Sequence, residues 1–220
     1  MADHLREWSD VVPGCSEWMA IFADLARYSD AEFGRDDGFS AGRPTDLQDD
    51  GAWTLPLLYR LLAWRPLPSQ SDTAPSPGEL LQETCRLGAL LFMAPVWRHH
   101  GVHPVRSRIL SRKLESLVSS DATAWSEQGA LWTWQLWALY MGAVEEAREA
   151  TLEGTAEAAD APRALETAVA ELLVRQGVES WPAARHLLSN ILLPERLFGA
   201  KDTTVGAKVA CLIKQRLAST

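Results

Sequence analysis

Most of the ten tryptophans of this chain fall inside stretches whose large apolar side chains recur every three or four residues. No stretch shows the strict alternation of a half-buried strand. Indoles also dominate the aromatic set, with 10 Trp against 3 Tyr and 5 Phe. Each buries roughly 150–250 Å² and carries an N–H that needs a partner when buried. A chain built this way folds either around a large-grained helical core or around an aromatic-lined cavity.

The apolar period predicts a first helix from about Ser16 to Phe33, carrying Trp18, Ile21, Phe22, Leu25 and Tyr28 on one side and ending at Gly34. Residues 34–51, rich in Gly and Asp, read as a flexible loop. A second helix is expected from Ala52 to Trp64, with Leu57, Leu58, Leu61 and Leu62 as its apolar residues and Pro56 in its first turn. Residues 66–78, with four prolines among hydroxyl side chains, read as a linker. Glu79 to Trp97 is apolar on more than one side, as a central buried helix is, and Pro95 should end or kink it.

A fourth helix is expected from Pro104 through Leu117. A fifth runs from about Ala124 through Tyr140, with Glu145, Glu146 and Arg148 emerging into solvent. Three more lie near Pro162–Gln176, Trp181–Leu193 and Val205–Leu217. The expectation is an all-α protein: one globular domain over 1–220, a bundle of about eight helices with a Trp-rich core.

Composition excludes several classes. A net charge of −8 and 23% charged residues do not make the clustered positive surface that nucleic acid requires. No apolar run is long enough to span a membrane. Cys15, Cys85 and Cys211 are too few and too scattered for a disulfide framework or a zinc site. With neither a secretory leader nor a basic nuclear address in view, the expected location is the cytoplasm, with the nucleus as the other choice.

Five segments, PGCSEWMAIFADLARYSD, LLYRLLAWRP, QETCRLGALLFM, LWTWQLWALYMGAVEEA and SWPAARHLLSNILLPERLF, occur in that order. Together, from about Pro13 to Phe198, they resemble the fungal-specific transcription factor domain, the helical region that follows a Zn₂Cys₆ DNA-binding motif in many fungal regulators. The six closely spaced cysteines of that motif are missing here. The resemblance therefore implies a stand-alone effector module without a DNA-reading head, and it brings no catalytic residues with it.

Candidate chemistry has to come from the residues themselves. Gly38-Phe39-Ser40-Ala41-Gly42 has the nucleophile-elbow spacing but lacks the strand that the elbow requires before its serine. Asp36-Asp37 and Asp49-Asp50 could meet a divalent ion, yet they lie in a Gly/Pro-rich loop, where a solvated acidic turn is the simpler account. His99, His100 and His103 cluster beside Arg98, but Gly101 and Pro104 interrupt any common helical face, so no metal site is expected. What remains at that corner is acid–base or anion chemistry by His100, His103 and Arg106.

Charge is also segregated. Residues 98–113 carry Arg98, Arg106, Arg108, Arg112 and Lys113 without an acid, whereas 143–171 carry eight acids against two arginines. The two segments either pair with each other, or the basic one grips an anion.

Trp134 and Trp137 lie about 60° apart on their helix, while Trp132 points elsewhere. With Phe92, Trp97 and Arg98 they form the candidate ligand-binding set. Two functions follow as expectations. The first is a module that binds a hydrophobic small molecule or a partner protein, a second copy of the chain included. The alternative is a cofactor-free enzyme of fungal secondary metabolism, a cyclase, isomerase or pericyclase that holds a greasy substrate among aromatic rings.

Overall fold

The structure, a computed structural model, describes residues 15–33, 55–64, 76–99, 107–120, 131–152, 163–193 and 195–219. Among them are eight helices and no strand: α1 (Cys15–Phe33), α2 (Leu55–Ala63), α3 (Pro77–His99), α4 (Ser107–Ser120), α5 (Trp132–Leu152), α6 (Ala164–Arg175), α7 (Trp181–Ser189) and α8 (Glu195–Leu217). The expected all-α bundle with a Trp-rich core is what forms. No helix among the described residues is long and apolar enough to cross a membrane.

Helices α3 and α5 form the central pair. They run parallel, since Gly88 meets Ala138 and Leu91 lies near Gly142. Close approach is possible because Gly88 has no side chain: a Cβ there would sit 2.7 Å from the Ala138 Cβ and 2.8 Å from its Cα. Helix α4 returns antiparallel, with Ser107 meeting Glu149 and Leu114 meeting Gly142. At Gly142 the side chains of Leu91, Leu114 and Leu165 converge from α3, α4 and α6, so the missing Cβ there makes room for three neighbours.

Three helix ends differ from the sequence reading. Ser76, Pro77 and Gly78, which the sequence places in the linker, cap and open α3 ahead of Glu79. Ser76 donates its backbone N–H and its hydroxyl to Glu79 Oε2, at 2.7 and 2.8 Å, with the hydroxyl oxygen 3.3 Å from the Glu79 backbone nitrogen. Proline stands at the first helical position, where its missing N–H costs nothing. These bonds, the backbone one foremost, hold the Glu79 carboxyl below its ordinary range.

Helix α3 also continues through Pro95 to His99. An internal proline costs about 3 kcal/mol, but Phe92, Met93, Ala94 and Trp97 around it are all buried. Burial of that size exceeds the loss of one backbone bond. Helix α8, expected only from Val205, begins at Glu195. Its apolar period of Val205, Val209 and Ile213 marks only the second half, so periodicity could not find the first.

Helix α6 ends in a reciprocal pair of turns: Val178 N–H to Leu173 C=O at 2.9 Å, and Gly177 N–H to Val174 C=O at 3.0 Å. This motif requires a left-handed residue, and Gly177 supplies it at φ 71°. Nothing lies within 4 Å of a Cβ placed there, so Gly177→Ala should cost only the backbone penalty. The expected loss is about 1 kcal/mol in chemical denaturation.

Candidate functional site

The aromatic side chains singled out in the sequence meet through α1. Phe22 sits with its ring 4.5 Å from Trp134 and 5.2 Å from Trp137, edge-on to both, and Phe92 tilts against Trp137 at 6.3 Å. Beyond Phe22, Trp18 lies 6.1 Å away and makes an edge contact with Trp64 at 5.5 Å. Phe92, Trp97, Trp134 and Trp137 are all buried, and Trp132 only partly, as the helical angles required. Trp137 Nε1 donates to the Leu192 carbonyl at 2.7 Å, in the turn after α7. One indole thereby joins α1, α3, α5 and the α7 turn. Phe22 was legible as a core residue but not as the ring that bridges the two indoles.

The polar candidates are placed differently. His100, His103 and Arg106 lie outside the described residues, as do the Gly38–Gly42 motif and both aspartate pairs. Arg98 and His99 belong to α3, with side chains outside what is described. Cys85 is buried and Cys211 exposed, both as free thiols. Burial pushes the Cys85 thiol far above its ordinary range, which removes it as a nucleophile.

The acidic segment holds a feature that sequence reading missed. Glu145 and Glu146, expected to emerge into solvent, do not: Glu145 is buried and Glu146 half-buried. Helices α4 and α6 both pack against that side of α5, a fact of tertiary packing with no local signal. Ser107 donates its hydroxyl to Glu149, and Glu115 of α4 lies near enough to Glu146 to act on its carboxyl. Fully buried Glu166 accepts the Arg163 backbone N–H at 3.0 Å, and Lys208 approaches it to 3.9 Å. The Glu146 carboxyl is pushed up to about 8, chiefly by burial, then by the charge and hydrogen bond of Glu115. Arg163 opposes the rise and Glu166 adds to it.

Between the basic and acidic segments the Ser107 hydroxyl bonds Glu149, while Lys113 lies 4.0 Å from Glu83 of α3. The acidic segment takes cations from α8, through Lys208 and the Arg216–Glu171 pair.

Two surface features complete the inventory. A groove of about 430 Å³ lies between the C-terminal ends of α6 and α8, lined by Glu171, Val174, Arg175, Arg216 and Ser219. None of the sequence candidates lines it. On α2, Leu57 and Leu61 are buried, whereas Tyr59 and Leu62 are 74% and 58% exposed. These pairs fall on opposite sides of the helix. Arg60 fixes the rotation by bonding Asp24 of α1 at 2.6 Å. The chain matches no family model, no curated protein and no solved structure.

Proposed function

We propose that the chain is a helical interaction module whose docking face is the outer side of α2, with Tyr59 and Leu62 seated in an apolar cleft of a partner protein. The observation that carries this reading is the contrast between two sets of apolar residues. Trp18, Phe22, Phe92, Trp134 and Trp137 are packed ring against ring in the interior. Tyr59 and Leu62, one turn apart, are spent on the surface. Tyrosine on a rigid helix is a typical anchor of protein interfaces. The ordered resemblance to a fungal transcription factor domain adds weight to a regulatory role for such a module.

A photo-crosslinking residue at position 59, expressed in the host cell, tests this. One discrete crosslinked protein is expected, and Leu62→Glu should abolish it. Tyr59→Ser and Leu62→Ser should leave stability within about 0.5 kcal/mol of the parent, as exposed positions do. A crosslink yield unaffected by Leu62→Glu, or no adduct at all, overturns the reading.

Small-molecule binding is the second reading, in which the aromatic cluster around Trp134 and Trp137 stacks on a flat hydrophobic ligand. A cofactor-free enzyme would be its catalytic form. A co-purified small molecule in native mass spectrometry of host-derived protein, lost on Trp134→Ala, would favour it over the first.

A further inference from the structure

Part of the basic segment forms the outer side of α4. At about 100° per residue, Arg108, Ile109, Arg112, Lys113 and Ser116 fall within about 140° of arc, and all five are exposed. Ser107, Ser111 and Leu114 point the other way and are buried. The one acid of this helix, Glu115, is half-buried beside Glu146 of α5. Three cations and no acid thus share an exposed strip about 12 Å long, at ~1.5 Å per residue, in a chain whose net charge is −8.

The acids that could have complemented this strip take their partners elsewhere. Glu166 has Lys208 at 3.9 Å and Glu171 has Arg216, both cations from α8, while Glu149 has the Ser107 hydroxyl. Lys113 approaches Glu83 of α3 only to 4.0 Å. Glu83 is buried and already gripped by Arg86 through two bonds of 2.6 and 2.7 Å, so its charge is largely met before Lys113 reaches it. The Lys113 side chain accordingly stays 63% exposed. Between Arg112 and Lys113 on the helical arc stands Ile109, an apolar side chain 52% in water.

We propose that the outer side of α4 is a second docking face, independent of α2, which takes an acidic amphipathic helix of a partner protein. An apolar side chain of that helix covers Ile109, and its carboxylates meet Arg112 and Lys113, an apolar centre with a charged rim. Charge complementarity selects the occupant: a guanidinium and an ammonium beside one isoleucine match glutamate or aspartate beside an apolar residue. Spacing selects its form. Arg108 with Arg112, and Ile109 with Lys113, are one turn apart, so acids repeated every turn on an opposing helix meet them in register. A phosphate backbone fits less well, because its affinity grows with the number of phosphates neutralised, and this strip offers three cations on an acidic protein.

A synthetic helical peptide with glutamates flanking a leucine stripe, titrated into the isotope-labelled full chain, tests the docking face. Amide shifts should concentrate in residues 108–116, and added salt should weaken binding as the charges are screened. The same peptide with glutamine for glutamate should bind about tenfold more weakly or worse. Arg112→Glu should also weaken binding by about tenfold or more, and Ile109→Ser should weaken it as well. Lys214→Glu, the same charge change at an exposed position of α8, should leave it unchanged. All three variants alter exposed side chains, so their unfolding midpoints should match the parent's. Shifts scattered over the surface, equal binding of the glutamine peptide, or an Arg112→Glu variant that binds as well as Lys214→Glu would overturn the proposal. Tighter binding of a single-stranded oligonucleotide of equal charge would overturn it too, by making phosphate the occupant.

Discussion

Trp137→Ala is expected to lower the free energy of unfolding by about 3–5 kcal/mol, measured by urea denaturation. Trp137 touches Phe22 of α1 and Phe92 of α3, so its removal opens a cavity that no single helix can close by shifting. It also donates the bond that satisfies the Leu192 carbonyl at 2.7 Å. An unpartnered buried carbonyl adds about 1–3 kcal/mol. Against a typical total of about 5–15 kcal/mol, that sum can unfold the protein at room temperature. Trp137→Phe keeps a smaller aromatic ring in place while losing the donor, so it should cost less than Trp137→Ala. Trp132→Ala, at a partly buried site, should cost distinctly less. If Trp137→Ala costs no more than Trp132→Ala, the ring cluster is not a packing unit.

Gly88→Val carries the other large effect. A Cβ at position 88 would meet the backbone of Ala138 at 2.8 Å as well as its Cβ at 2.7 Å, and backbone cannot rotate aside as a side-chain tip can. The two central helices must separate, which undoes packing along their length. Overpacking costs of about 1–3 kcal/mol are usual, and a β-branched residue at a helix crossing should reach the upper end or exceed it. Gly142→Ala makes the comparison informative. Its nearest obstacles, at 2.6 and 3.0 Å, are the Leu165 and Leu114 methyl groups, which have rotamers to yield into. Alanine also recovers about 1 kcal/mol of helix propensity relative to glycine. Gly142→Ala should therefore be the milder change, and thermal unfolding of the two variants beside the parent should rank them so.

The aromatic interior was legible because period and angle are local properties. Trp18, Ile21, Phe22 and Leu25 recur at the helical interval and are buried. The 60° between Trp134 and Trp137 brings both onto Phe22. Pro95, expected to end or kink its helix, does not end it, and the reason is the opposite one. Its local penalty is visible in the sequence, whereas the burial of Phe92, Met93, Ala94 and Trp97 that outweighs it depends on the helices packed around them. Glu145 and Glu146 misled in the same way, since a pair of acids near a helix end looks solvated until two further helices are laid over it.

By itself the sequence determined the helical class, the single Trp-rich core and the identity of its large side chains, because a 3.6-residue repeat of apolar groups leaves a chain few other ways to leave water. Only the tertiary structure decided which face of α2 stays in water, where glycine lets α3 touch α5, and which carboxyls are brought together. Those depend on the rotation and spacing of helices far apart along the chain, and the free energy that sets them is a property of contacts no local pattern contains.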